Sequence, residues 1–182
     1  MNEHYELKIC GLTRSLKKVQ VAPNLVIASF VMLGDTQMIE KSADALFNKM
    51  KEIKEIDMLV CPEAKGIPLT HALAVRLGVD YVVARKSIKG YMENPITSEV
   101  RSITTNEKQI IVIDETDAAK LDGKRVCVVD DVVSTGGSLR SVEDVLAKTG
   151  CTVICKVAVL LEEGGYSGED LIYLQKLPVF PV

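Results

Sequence analysis

The chain has 182 residues, 47% of them apolar and 26% charged, and its 22 basic and 25 acidic side chains leave a formal net charge of −3. That composition fits one soluble globular domain able to build a core without disulfide or metal staples, and its slight acidity argues against general nucleic-acid binding, which needs a broad basic surface. No apolar run reaches the ~18 to 20 residues that cross a bilayer, and the opening MNEHYELKIC lacks a continuous apolar stretch of the secretory kind. The expected location is cytoplasmic, with no membrane and no nucleic acid as partner.

Residues 1–35, with the apolar stretch LVIASFVML, stand outside the alternation that follows and are expected to cap it. Over 36–56, apolar side chains at Ile39, Ala43, Leu46, Met50 and Ile53 recur at three- and four-residue steps, which predicts an amphipathic helix. Residues 58–61 form an apolar strand bounded by Asp57 and Pro62, and 67–77 a second helix, with Pro68 in its first turn and Gly78 at its end. A valine-rich strand over 81–84 follows, then a polar stretch over 86–99. Segments 100–104 and 109–113, separated by Thr105-Asn106-Glu107-Lys108, suit a hairpin. After the turn Leu121-Asp122-Gly123-Lys124 comes the strongest apolar run, 126–129, then a glycine-rich bend, a helix over 137–148 and a strand over 153–161. Helices alternating with continuously apolar strands predict an α/β fold whose mostly parallel sheet is covered on both faces. The five cysteines, an odd number set mostly among apolar residues, are expected to be reduced core thiols, and Cys151 with Cys155 is a weak ligand set for a metal.

Chemistry concentrates in VCVVDDVVSTGGS, residues 126–138. Asp130 and Asp131 end a strand as adjacent carboxylates, which repel each other unless they meet hydroxyls, a metal or cations. Gly136 and Gly137 let the backbone approach a ligand closely, Ser134, Thr135 and Ser138 add hydroxyls, and a helix amino terminus presents unpaired N–H groups to an anion. The segment lacks the lysine of a G-x-x-x-x-G-K-[ST] loop. A phosphate monoester beside a sugar diol suits it best. The plainer alternative is an ordinary strand-to-helix turn in which Ser134 or Thr135 caps the helix.

The same stretch closely resembles the phosphoribosyl-diphosphate (PRPP) signature of type I phosphoribosyltransferases. The resemblance implies their fold, with a core over about 36–161, a small hood built from about 1–35 and 162–182, and a flexible hairpin lid. It implies that Asp130 and Asp131 hold the ribose hydroxyls, while Ser134, Thr135, Gly136, Gly137 and Ser138 hold the 5′-phosphate. Pro62-Glu63-Ala64-Lys65-Gly66 is similar to the family's pyrophosphate loop, and Val82 to Lys89 to the V-x-x-R-K-x-x-K stretch of adenine and xanthine enzymes, so Lys65, Arg85, Lys86 and Lys89 would bind the pyrophosphate. The 22–35 segment resembles the adenine enzymes' hood, placing Val26 and Ala28 against the base together with Val132, while Asn24 falls where xanthine enzymes carry a base-binding asparagine. Thr105 or Asn106 replaces an expected glutamate at the lid tip. No general base is evident, so Asp130, Asp131, Lys65 and Arg85 carry positioning roles only. The activity implied is Mg2+-dependent purine salvage, adenine plus PRPP giving AMP and pyrophosphate, with Mg2+ held mainly by PRPP beside Asp130 and Asp131. A xanthine or hypoxanthine-guanine enzyme, or a non-catalytic purine- or PRPP-sensing regulator, are the alternatives. The resemblance also implies a homodimer.

Overall fold

The computed structural model describes residues 3–53, 55–101 and 108–181. Strands β1 (His4–Ile9), β2 (Leu12–Ala22) and β3 (Leu25–Ala28) open the chain. The alternation then runs α1 (Thr36–Lys49), β4 (Met58–Pro62), α2 (Ile67–Leu77) and β5 (Asp80–Ala84), followed by a hairpin of β6 (Ile96–Arg101) and β7 (Lys108–Ile113). After α3 (Glu115–Leu121) come β8 (Arg125–Val133), α4 (Gly137–Leu146), β9 (Thr152–Glu162), β10 (Leu171–Leu177) and β11 (Val179–Pro181).

The central five-stranded sheet has the order β10-β9-β8-β4-β5, and every neighbouring pair is parallel. The inner strands β4, β8 and β9 are mainly apolar because each face is covered. Leu59, Cys61, Cys127 and Val129 pack with α1, α2 and the first three strands, while the alternate residues Met58, Val60, Val126 and Val128 pack with Leu121, Leu139, Val142 and Leu146 from α3 and α4. From β4 the chain moves to β5 on one side and later returns as β8 on the other. The strand order therefore reverses between β4 and β8, and their carboxyl ends frame the crevice where open α/β sheets bind ligands.

Helix α1 ends at Lys49 rather than 56, because Ile53 and Ile56 pack on the core from the connecting turn and not from a further helical turn. Its first turn is capped by Asp35, which accepts from Met38 N at 3.0 Å, and Arg14 of β2 donates to the same carboxylate at 2.6 Å. Helix α3 buries only Ala118 and Leu121, too short a pattern for periodicity to reveal. The hairpin pairs in a different register from the predicted one: Ile96 lies opposite Ile113, so its first strand begins four residues earlier than 100. This follows from the burial of Ile111, Val112 and Ile113 and from the backbone pairing of Val112 with Arg85. Thr105 and Asn106 lie outside the described residues.

The tail divides between the two sheets. β10 extends the central sheet beside β9, whereas β11 pairs with β3 and completes a four-stranded antiparallel sheet of order β1-β2-β3-β11. Of the 162–182 stretch expected in the hood, β10 thus belongs to the central sheet. Phe180 of β11 packs near Tyr5, and Lys18 Nζ lies 4.0 Å from its ring centroid. No helix among the described residues is long and apolar enough to cross a membrane.

Candidate functional site

Strand β8 carries the acidic doublet to the crevice. Asp130 is 8% and Asp131 5% exposed, so burial, then the neighbouring Asp131 charge, pushes the Asp130 carboxyl well above its usual range, with Lys86 nearby opposing the shift. The doublet bonds internally: Asp131 N donates to Asp130 Oδ1 at 2.9 Å, and Val132 N to Asp131 Oδ1 at 2.9 Å. Asp131 Oδ2 is buried without a hydrogen-bond partner. A buried orphan acceptor is costly, and a ligand hydroxyl is the kind of group that relieves it.

The bend after β8 is not an ordinary cap. Gly136 takes the N-cap position of α4 with φ of +79°, and no side chain caps the helix. The hydroxyl of Ser134 instead accepts from Thr135 N at 2.6 Å, while Arg140 Nη2 donates to Thr135 O at 3.0 Å. The capping alternative raised by the sequence is therefore not what forms. The first N–H groups of α4 are left to solvent or to an anion.

The loop after β4 meets this corner from the neighbouring strand. A Cβ on Gly66 would stand 3.4 Å from Asp130 Cα, so the loop lies directly against the doublet. Lys65, just before it, is exposed. Glu63 is bound from two directions, by Arg85 Nη1 at 3.1 Å and by Lys86 N at 3.0 Å, and its own N–H donates to Ala84 O at 2.9 Å. The Lys86 N–H, then Arg85 and the charge of Lys89, hold the Glu63 carboxyl below its usual range. Lys89 Nζ also donates to Ser87 Oγ at 2.6 Å. The strands thus gather the doublet, the glycine cradle and a cationic rim at one end of the sheet.

Residues 32–178 match the family model described as the phosphoribosyl transferase domain. The chain belongs to this phosphoribosyltransferase family. It is 32% identical over 130 residues to a hypoxanthine/guanine phosphoribosyltransferase of Methanothermus fervidus, covering 71% of this chain and 65% of that protein. It is 28% identical over 141 residues to an adenine phosphoribosyltransferase of Leuconostoc citreum, covering 78% and 76%. The crystal structure of adenine phosphoribosyltransferase from Thermoanaerobacter pseudethanolicus is similar with a TM-score of 0.71 and 25% identity, covering 89% of this chain and 95% of that one. The match spans just under two thirds of the length of the Methanothermus relative and 60% of an HGPRTase-like protein of Halobacterium salinarum.

The base-side residues implied by the phosphoribosyltransferase resemblance are more scattered. Val132 is half-buried and packs in the same layer as Ala28, whose methyl group is 1% exposed and belongs to the core. Val26 lies in β3 opposite Gln20 and Phe180, and Asn24 is exposed in the turn between β2 and β3. Among the described residues no hydrogen bond or ion pair joins Asn24, Val26 or Ala28 to the doublet or the cradle. Three residues to which the sequence assigned no part in holding the phosphate or the pyrophosphate lie at or near the site. Glu63 holds Arg85, Tyr166 donates its N–H to Ser134 O at 2.7 Å, and the half-buried Glu162 is pushed up by burial against the opposing hydrogen bond of Ser134. Only Glu63 had a local signal, its place within the loop after β4.

Proposed function

We propose that the protein is a purine phosphoribosyltransferase, moving the 5-phosphoribosyl group of PRPP to a purine base and releasing pyrophosphate. The observation that carries this reading is the junction of β8 and α4, where a buried carboxylate doublet with one unpartnered oxygen adjoins a helix terminus that no side chain caps. A sugar phosphate supplies what each part lacks: hydroxyls that donate to carboxylates and a monoester that accepts from N–H groups.

In this reading Asp130 and Asp131 take the ribose hydroxyls and Ser134 to Ser138 the 5′-phosphate, holding the sugar in line for attack by the base. Breaking the C1′–O bond builds positive charge on the ribose and negative charge on the departing pyrophosphate. The buried doublet favours the first, and Lys65, Arg85, Lys86 and Lys89 favour the second, from positions set before the reaction begins. The family implies Mg2+ as well. Asp130 and Asp131, with Asp131 Oδ2 unpartnered, would share an ion carried mainly by the PRPP phosphates. When bound, the ion supplies charge against the leaving group.

Adenine is the proposed base, supported by the likeness to the Thermoanaerobacter adenine enzyme over 89% of the chain. The 32% identity to the Methanothermus enzyme favours hypoxanthine or guanine as the second reading. Incubating the protein with Mg2+, PRPP and adenine, hypoxanthine, guanine, xanthine or orotate in turn, with pyrophosphate release as the readout, separates them. Release with adenine above all others is the expected result. Release with hypoxanthine or guanine selects the second reading, and PRPP binding without release for any base selects a sensor.

A further inference from the structure

Lys156 lies in β9, within the otherwise apolar run ICKVAVLL, and is 6% exposed. A lysine there is costly unless its charge is met on all sides. Its Nζ lies 2.6 Å from Glu143 Oε1 on α4, 2.6 Å from Asp170 Oδ2 ahead of β10, and 3.1 Å from Tyr166 Oη. Tyr166 in turn donates its hydroxyl to Asp170 Oδ1 at 2.7 Å. Burial alone would lower the Lys156 pKa, but its bonds to Asp170, Glu143 and Tyr166 outweigh it and hold the ammonium above the usual lysine value. The helix, the strand and the turn before β10 are thereby fastened to one cation.

The same tyrosine reaches the phosphate cradle. Its N–H donates to Ser134 O at 2.7 Å, and its ring lies so close to Gly136 that a Cβ there would clash with Tyr166 Cδ2. On the opposite side of the contact, a Cβ on Gly165 would clash with Ser134 O. Glycine on both sides lets the turn press on the cradle with no side chain between them.

We propose that Lys156 is a positioning residue for the sugar phosphate: held by Glu143 and Asp170, it fixes Tyr166 against Ser134 and Gly136 and so sets the cradle's shape for the 5′-phosphate. This rests on the reading of the cradle as a phosphoribosyl site. The effect is local to the monoester end, since the pyrophosphate cations sit on the loop after β4 and the segment after β5.

Calorimetric titration of wild type, Lys156→Met and Tyr166→Phe with ribose 5-phosphate, and separately with pyrophosphate, tests it. Tyr166→Phe keeps the ring and the backbone contact and removes only the hydroxyl that ties Tyr166 to Lys156 and Asp170, so it decides the matter if Lys156→Met does not fold. We expect each folded variant to bind ribose 5-phosphate about tenfold more weakly, as for loss of one charge-assisted hydrogen bond, with pyrophosphate affinity unchanged. Unchanged ribose 5-phosphate affinity, or equal loss for both ligands, overturns the proposal. A wild-type protein that takes pyrophosphate but no ribose 5-phosphate removes the phosphoribosyl reading of the cradle, and the role of Lys156 falls with it.

Discussion

Glu63 and Arg85 face each other across the ends of two neighbouring strands, with Arg85 Nη1 3.1 Å from Glu63 Oε1 while the second carboxylate oxygen takes the Lys86 N–H at 3.0 Å. One carboxylate thus holds the guanidinium of Arg85 and the backbone of Lys86, two of the four cationic residues that the proposed chemistry places at the pyrophosphate. Glu63→Gln keeps the side-chain size but loses the charge. It should lower kcat more than it raises KM for the base, in steady-state assays with saturating PRPP. The Glu63 carboxyl is held below its usual value, so its stabilising contribution is present above the unfolded-state value of 4.5 and is lost as pH falls through the lower folded-state value. The difference in Tm between wild type and variant should accordingly shrink in acid.

Asp130 has the opposite linkage. A carboxyl whose folded-state pKa is raised costs stability once the pH climbs past the unfolded-state value, and the cost grows until the folded-state value is passed. Asp130→Asn removes that titration, and its amide oxygen can still accept the Asp131 N–H. Thermal unfolding measured from about pH 4 to about pH 8 should show the variant gaining on wild type as pH rises, by about 1.4 kcal/mol for each pKa unit of elevation. PRPP affinity should fall at the same time. A stability gap that stays flat with pH would show that charge burial at Asp130 carries no cost.

Asp131→Asn and Thr135→Ala probe the two halves of the cradle separately. Each should weaken PRPP binding by about 1.5 to 3 kcal/mol, the usual worth of a hydrogen bond to a charged group. Binding isotherms that superimpose on wild type for both variants would remove the assignment of this corner.

Lys65→Ala leaves an exposed position with no buried contact to lose. Turnover should slow while the unfolding midpoint in urea stays within error of wild type. Equal rates for the two proteins would dismiss a pyrophosphate role for Lys65.

Gly136 adopts φ of +79°, and a methyl group there would enter the Tyr166 ring. Gly136→Ala should cost at least about 1 to 2 kcal/mol from the left-handed backbone alone, with PRPP binding lost. Chemical denaturation and titration of the same sample measure both effects, and wild-type stability would overturn both the backbone cost and the clash with Tyr166.

The parts legible in the chain alone share one property: their determinants lie close together along it. The strands at Met58–Pro62 and Arg125–Val133 appear as apolar runs because both sheet faces are covered, and the doublet and cradle appear because Asp130 to Ser138 is one continuous turn into a helix. Helix α3, with two buried residues, and the hairpin register, set by the pairing of Val112 with Arg85, left no comparable trace. Glu63 finds Arg85 22 positions later only because β4 and β5 lie side by side in parallel, and the tail splits between two sheets because β10 pairs with β9 while β11 pairs antiparallel with β3. Lys156 belongs to the same class. Read along the chain it is one charge in an apolar strand, and its partners on α4 and the turn before β10 come within 2.6 Å only when the sheet has assembled, where burial makes each charge depend on the others.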